Sequence, residues 1–145
     1  LNELGLSLPD APAPAANYVP YVCSGKFIFV SGQISNDENG FIKGCLGKNM
    51  SIDSGYRAAK FCGLALIAQL KAACSGNLDR VQKVIKLGGF VNSTSEFLDQ
   101  PKVINGASDL MADVFGEKGS HARTAVGCIL PFGVAVEVDG IFEID

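Results

Sequence analysis

The chain has 145 residues, of which 48% are hydrophobic and 19% are charged, and its formal net charge is −3. This length and this composition are typical of a single globular domain with a sizeable core. The nine lysines and three arginines form no basic cluster, which argues against a dedicated nucleic-acid-binding protein, because such proteins neutralise phosphates with grouped basic side chains. No apolar run approaches the roughly twenty residues of a membrane span.

The sequence contains five cysteines without CxxC spacing and one histidine, His121, so no zinc-binding set of familiar spacing can be assembled. Four of the cysteines lie in apolar runs, and we expect them to be reduced and buried. The five are Cys23, Cys45, Cys62, Cys74 and Cys128. No signal-peptide pattern is visible. Together these features predict a cytoplasmic protein.

The first strands are indicated by residue type and by one turn signal. Residues 17–23 are typical of a short edge strand, since a proline lies within them. Residues 27–34 are rich in aromatic and β-branched side chains and predict a buried strand. Asn39-Gly40 is a hairpin-turn signal, after which Phe41 starts a return strand.

Two helices are predicted in the middle of the chain. The first begins at the N-cap Ser51, and apolar residues recur at helical spacing for about six turns until Gly76 ends the helix. A strand over residues 81–91 follows. The second helix has Pro101 in its first turn and ends at Gly116.

The element order is therefore strand–strand–strand–helix–strand–helix–strand–strand. An extended lead-in over residues 1–16, which contain three prolines, precedes one domain over residues 17–145. Strands interleaved with only two helices predict an α/β (α+β) architecture, in which one mixed sheet carries both helices on one face. The other face would stay open, and an apolar open face would favour an oligomer, because a monomer would expose that face to water.

We expect the functional site in the last stretch of the chain, residues 120–145. Two apolar runs flank residues 130–133, whose proline and glycine predict a hairpin connection between two strands. The second run alternates between an apolar face and a largely acidic face. The apolar face holds Val134, Val136, Val138, Phe142 and Ile144, and the other face holds Glu137, Asp139, Ile141, Glu143 and Asp145.

A cation and a carboxylate in this stretch suggest a binding site. Arg123 is predicted to share a strand face with small residues such as Ala125, which would leave open space above the strand. With a carboxylate on the neighbouring strand, Arg123 could hold a small anionic substrate and a water molecule. The alternative is a salt bridge on a solvated sheet face. Asn105 and Ser108 lie beside the apolar stripe of the second helix and could face the sheet or a partner chain.

Two other chemistries are disfavoured by the residue types present. A Ser-His-Asp triad would depend on His121, and no nucleophile elbow is present. Because Arg123 is the one titratable neighbour of His121 in sequence, we interpret this histidine as a loop or capping residue. Gly88-Gly89 lacks the spacing of a phosphate-binding loop.

Five short motifs occur in the order in which a known family has them. They are Tyr18-Val19, VSGQI at residues 30–34, Asn105-Gly106, HARTAVG at residues 121–127 and VEVDGI at residues 136–141. From about Asn17 to the C-terminus the chain resembles the Rid family, which is also called YjgF or the L-PSP endoribonuclease family. The lead-in and the sequence of the second helix resemble a less characterised branch of it.

The resemblance implies a chorismate-mutase-like fold and a homotrimer with clefts between its subunits. It also implies the hydrolysis of reactive 2-imino or 2-enamino acids to 2-oxo acids and ammonia, without a metal or an organic cofactor. The expected partners are thus small 2-imino and 2-oxo carboxylic acids, with neither a membrane nor a nucleic acid. Such imines are released by pyridoxal-phosphate dehydratases that act on serine or threonine.

The resemblance assigns roles to single residues. Arg123 matches the arginine that holds the substrate carboxylate, and Glu137 matches the glutamate that positions the attacking water, so both are expected to be catalytic. The expected substrate-binding residues are Tyr18, Ser31, Gly32, Asn105 and Ala125.

Two positions depart from the family pattern. Many members have Cys where this chain has Ala125, so thiol chemistry is lost there, whereas the main chain can still help to hold the water. His121 stands where the better-known enzymes commonly have Pro and could reshape the cleft mouth. Separately, Asp139 lies on the predicted face of Glu137 and is expected to raise the pKa of Glu137 by like-charge repulsion.

Three functions remain open from the sequence. The first is the deaminase of reactive 2-imino acids, and the second is a single-strand endoribonuclease that affects translation, against which the acidic balance counts. The third is a non-catalytic trimer whose clefts bind a small carboxylate through Arg123.

Overall fold

The protein forms one five-stranded sheet that carries two helices, as seen in a computed structural model that describes residues 4–14 and 16–145. The elements are β1 (Tyr21–Ser24), β2 (Phe27–Ile34), β3 (Asn36–Asp37), β4 (Gly40–Phe41), α1 (Ile52–Ala73), β5 (Val81–Asn92), α2 (Gln100–Phe115), β6 (Ala122–Cys128) and β7 (Val136–Ile144). The predicted mixed sheet with two helices on one face is confirmed.

The helix boundaries follow from local chemistry. Ser51 caps α1, because its Oγ accepts a hydrogen bond from the Ser54 N–H at 3.2 Å. After α1, Gly76 takes a φ of +91° and its N–H donates to the Lys71 carbonyl at 2.8 Å. The helices approach closely because Gly106 of α2 lies against the Tyr56 carbonyl, where a Cβ atom would collide.

The strand order is β1-β2-β7-β5-β6, with β6 parallel to β5 and the other pairs antiparallel. The predicted hairpin over residues 130–133 is therefore wrong, because β5 lies between β6 and β7. Residues 131–133 form a tight turn, in which the Val134 N–H donates to the Pro131 carbonyl at 3.3 Å, within a longer connection. A Pro-Gly break specifies that the chain turns, but the choice of strand partner depends on the packing of the whole sheet.

The core lies between the sheet and the helices. Alternate residues of β7 are buried there, as the sequence pattern predicted, and Phe142 is fully buried. From α1 the side chains of Leu66, Ile67 and Leu70 cover the same face. Burying one such side chain stabilises the fold by about 1.5–3 kcal/mol, so this layer fixes β7 and the acidic residues on its other side.

The opposite face of the sheet exposes apolar side chains. Val22, Phe29 and Ile141 lie in register on β1, β2 and β7, and Val22 and Phe29 are 52% and 45% exposed. Val126 on β6 lies opposite Phe90 and is 42% exposed. In register, Asp139 of β7 and Thr124 of β6 lie between these two apolar groups. Exposed apolar patches on a sheet face are typical of an interface between protein chains.

The N-terminal segment crosses the domain without regular secondary structure over residues 6–14, and Leu6 and Leu8 pack against the core. The predicted lead-in over residues 1–16 also includes residues 1–3 and 15, which lie outside the described residues. Neither α1 nor α2 is long and apolar enough to cross a membrane.

The cysteine prediction is only partly correct. Cys62 and Cys74 are buried free thiols, but Cys45 and Cys128 are partly exposed and Cys23 is exposed. Cys23 lies on the short edge strand β1, which has a strand partner on one side only, so an apolar sequence neighbourhood did not ensure burial there.

Candidate functional site

The predicted site residues fall into two groups that do not meet within one chain. One group surrounds Arg123 on β6, an edge strand of the sheet, and the other surrounds Glu137 on β7. Each group is chemically incomplete alone, since one supplies a cation and the other a carboxylate.

Arg123 is held by α2. Its Nη1 donates to Asn105 Oδ1 at 2.8 Å and to Ser108 Oγ at 3.1 Å, and its Nη2 donates to the Pro101 carbonyl at 3.4 Å. These three acceptors lie on one side of the helix, because they are spaced four and three residues apart. The structure thus brings Arg123 and Asn105, two of the predicted site residues, into contact.

The positive charge of Arg123 is not neutralised by any carboxylate of the described residues. Ion pairs in that part of the chain form at Arg57, Arg80 and Lys102, and all partners of Arg123 are uncharged. The alternative of a surface salt bridge at Arg123 is therefore wrong for residues 4–14 and 16–145. Neutral acceptors orient the guanidinium while its charge stays available to an anion.

His121 and Ser108 support Arg123 through a chain of hydrogen bonds. His121 Nδ1 lies 2.6 Å from the Gly119 carbonyl, which can only accept, so Nδ1 carries the hydrogen in the neutral ring. Nε2 then accepts the Ser108 hydroxyl hydrogen at 2.8 Å, and the Ser108 oxygen accepts from Arg123. The contact with Gly119 fits the interpretation of His121 as a loop or capping residue, and His121 also contacts Ser108. Its contact with Ser108 was missed because it depends on how α2 lies over β6.

We expect Ser108→Ala to weaken the binding of a small carboxylate about fivefold while the protein stays folded, because the loss of one hydrogen bond leaves Arg123 less well oriented. Isothermal titration calorimetry with a 2-oxo acid measures the effect. Ser95→Ala, an exposed turn residue, is the matched control. Equal affinities for Ser108→Ala and wild type would show that Ser108 does not orient Arg123.

The second group lies where β2 and β7 pair. The register of that pair shifts between Val30 and Gln33, which places the Glu137 carboxylate over the backbone of Gly32. A Cβ atom at Gly32 would collide with the Glu137 side chain, so the position requires glycine. Ser31 Oγ donates to the Val19 carbonyl at 2.7 Å and ties the segment next to Tyr18 to β2.

Four of the predicted site residues line one cleft of about 1040 Å³. They are Tyr18, Ser31, Gly32 and Glu137. The structure therefore brings together four of the predicted site residues on the acidic side, in an environment that can bind a ligand.

Burial raises the pKa of Glu137, and the nearby carboxylate of Asp139 raises it further. The predicted effect of Asp139 is confirmed in direction, although burial is the larger cause. The pKa of Asp139 is also raised by burial, against the opposing effects of the Gly88 N–H and Lys86. A carboxylate with a raised pKa is a better proton acceptor than an exposed one, provided that it is ionised.

The two groups lie on opposite faces of the sheet. Arg123 contacts α2, whereas Glu137 shares a face with Asp139, which lies beside Gly88 on the side away from the helices. The prediction that Arg123 and Glu137 stand on neighbouring strands is wrong, since β5 separates β6 from β7.

Their positions along the strands also differ. Arg123 lies opposite Leu87 of β5 and Glu137 opposite Phe90, so the two residues are roughly 10 Å apart along the strands and about 10 Å apart across them. Ala125 leaves no open space above β6 on the side of Arg123, because it packs against the core. Small residues on that face admit α2 and do not form a pocket floor.

The sequence family described as "YjgF/chorismate mutase-like, putative endoribonuclease" matches residues 1–137 of this chain. Protein TCP17 of Trypanosoma cruzi is 52% identical over 148 aligned positions, which cover 100% of this chain and 92% of TCP17.

Two crystal structures are closely similar to this one. A protein of unknown function from Agrobacterium tumefaciens has a TM-score of 0.92 and 48% identity, covering 99% of this chain and 89% of that chain. A protein from Shewanella oneidensis described as a putative endoribonuclease has a TM-score of 0.94 and 34% identity, covering 99% of this chain and 95% of that chain. The sequence match over residues 1–137 and these likenesses show that the chain belongs to the YjgF/chorismate mutase-like family.

Proposed function

We propose that this protein hydrolyses reactive 2-imino acids to 2-oxo acids and ammonia, at sites formed between copies of the chain. One observation carries the proposal. Arg123 has a charge that no described carboxylate neutralises, and Glu137 has a raised pKa in a cleft, yet the two cannot face each other within one chain.

The positions of the two groups favour a ring of subunits. Arg123 lies on β6 at one edge of the sheet, whereas the cleft of Glu137 includes Tyr18 and Ser31 towards the opposite edge. Joining unlike edges of successive subunits gives a head-to-tail contact, which closes into a ring when the rotation permits. A homotrimer is such a ring, and it would cover the apolar open face of the sheet.

Within a completed site, Arg123 of the partner subunit would bind the substrate carboxylate. A guanidinium can donate two parallel hydrogen bonds to a carboxylate, and charge-assisted bonds contribute about 1.5–3 kcal/mol each. Lysine lacks this planar geometry. The bound carboxylate would hold the imine carbon at a fixed distance from Glu137, which converts the attack of water into an oriented reaction.

In the first step, Glu137 accepts a proton from water while the water oxygen bonds to the iminium carbon. The π electrons of the C=N bond move to nitrogen and give a carbinolamine with an NH₂ group. Protonated Glu137 then transfers its proton to that nitrogen, which becomes a leaving group. The hydroxyl oxygen forms the C=O bond as the C–N bond breaks, and the hydroxyl proton leaves with ammonia as NH₄⁺.

Endoribonuclease activity has less support from the charges of this chain. Its net charge is −3, and Arg123 is a single cation without a basic cluster around it, whereas RNA binding depends on the neutralisation of several phosphates. A non-catalytic carboxylate-binding trimer would use the same Arg123, but it would not explain the raised pKa of Glu137 over Gly32.

A coupled assay tests the proposal. Threonine dehydratase releases an imine in solution, and ammonia release and the imine lifetime are followed with and without this protein. We expect the protein to shorten the lifetime and accelerate ammonia release. No acceleration by the assembled protein would refute the proposed activity, and cleavage of single-stranded RNA in a nuclease-controlled preparation would favour the endoribonuclease instead.

A further inference from the structure

The cleft beside Glu137 is large in relation to a small imino acid. Its volume is about 1040 Å³, whereas pockets of about 300–1,000 Å³ hold drug-sized ligands. Its polar lining includes Tyr18, Ser31, Gln33 and Glu137. The remaining lining is mostly apolar.

Two exposed phenylalanines form part of the apolar lining. The rings of Phe41 and Phe132 stack with centroids 5.4 Å apart and an interplanar angle of 17°. Phe41 is 47% exposed and Phe132 is 54% exposed. Exposed stacked rings in a cleft offer a flat apolar surface against which another apolar or aromatic group can pack.

The backbone of Phe132 is strained in a way that supports a role for its ring. Phe132 has φ = 60° and ψ = 12°, a left-handed conformation that bulky residues rarely adopt. Glycine would occupy this position without strain, and the residue that follows, Gly133, also has a positive φ. Strain of this kind persists mainly at functional sites, where the side chain is needed.

Another part of the wall belongs to the N-terminal segment, which a buried amide holds in place. Gln69 of α1 is 1% exposed, and its Nε2 donates to the Pro12 carbonyl at 2.7 Å. Buried glutamine is uncommon in proteins, and here it fixes a proline-rich wall of the cleft. From α1, Phe61 and Ala65 add further apolar surface.

We infer that the preferred substrates are 2-imino acids with a large apolar side chain, aromatic or branched aliphatic, rather than the small imines derived from serine and threonine. This inference rests on the proposed function. The substrate carboxylate would bind Arg123 of the partner subunit, the imine carbon would lie next to Glu137, and the side chain would extend along Phe132 and Phe41 towards the proline-rich wall.

Competition between imines tests the inference. An amino-acid oxidase with catalase generates the imines of phenylalanine and alanine in the presence of the assembled protein. We expect kcat/KM for the phenylalanine imine to exceed that for the alanine imine by on the order of tenfold or more. Phe132→Ala should remove most of this preference by lowering the first value much more than the second, since Phe132 is part of the apolar lining.

Two further variants make the result specific. Phe132→Gly suits the positive φ and should give the same loss of preference, so a folding failure of Phe132→Ala does not end the test. Leu98→Ala removes an apolar side chain that is 80% exposed and lies outside the cleft, and it should leave the preference intact. Equal kcat/KM values for the two imines, or an equal loss for both in the Phe132 variants, would overturn the inference.

The binding of 2-oxo acids, which are the products of the proposed reaction, tests this inference separately from the proposed function. Calorimetry compares 3-phenyl-2-oxopropanoate with 2-oxopropanoate. If no imine is hydrolysed, the proposed function and the substrate preference both fail, and tighter binding of the phenyl compound that depends on Phe132 then shows only that the cleft binds an apolar side chain. If both oxo acids bind equally, the preference is overturned even when imine hydrolysis is observed.

Discussion

Replacing Arg123 with Ala will lower kcat/KM for imine hydrolysis by about 100- to 10,000-fold, because it removes two charge-assisted hydrogen bonds of about 1.5–3 kcal/mol each. The fold should persist, since Arg123 lies on an edge strand and its partners Asn105 and Ser108 are not fully buried. Steady-state kinetics with imine generated in situ measures the loss, and circular dichroism checks the fold.

Two further variants assign the effect to the guanidinium. Arg123→Lys keeps the charge but not the planar pair of donors, so we expect it to recover only part of the lost activity. Arg80→Ala breaks an ion pair with Asp145 at 3.0 Å on the surface and should leave kcat/KM unchanged. Wild-type kinetics for Arg123→Ala would show that this residue does not bind the substrate.

Glu137→Gln should lower kcat by about 100- to 10,000-fold, because it removes the group that accepts the proton of water. The acid limb of the wild-type pH profile should report the raised pKa of Glu137, with activity falling as the pH drops through that pKa. Asp139→Asn removes one cause of the raised pKa, so its acid limb should lie at lower pH while kcat at neutral pH stays high. A pH profile that Asp139→Asn leaves unchanged would contradict this coupling.

The same Glu137→Gln variant should be more stable than wild type at neutral pH, by about 1 kcal/mol, as for other residues that serve function at the expense of stability. A raised folded-state pKa means that folding disfavours the ionised form of Glu137. The difference in the free energy of unfolding should be fully present above the raised pKa of Glu137 and should vanish below the pKa of this group in the unfolded state. Denaturation at neutral and acidic pH measures it, and a less stable variant at neutral pH would contradict the argument.

Local signals predicted the elements of the fold well. The capping serine Ser51, the turn at Asn39-Gly40 and the alternation in residues 136–144 each specify structure through contacts close in sequence. Strand adjacency could not be predicted in this way, because the break at residues 130–133 is compatible with a hairpin and with a crossing over β5. That single ambiguity led to the wrong placement of Arg123 beside Glu137.

The sequence proposed a set of site residues, but it could not reveal how they are arranged. Arg123 and Asn105 were identified from the family resemblance, and the structure places them in contact. The hydrogen bond between Ser108 and His121 depends on the packing of α2 over β6, which no sequence spacing reveals. The strained backbone of Phe132 was equally hidden, because Pro-Phe-Gly indicates a turn without indicating which residue takes the positive φ.

The central claim is that each site combines Arg123 of one subunit with Glu137 of the next, and subunit mixing tests it most directly. Arg123→Ala and Glu137→Gln chains with different tags are co-expressed, and only assemblies that carry both tags are purified. Each mixed ring of three then contains one intact site, so we expect about one third of wild-type activity, whereas a pair of subunits would give about one half. Activity no higher than that of the separate variants would contradict a site shared between subunits.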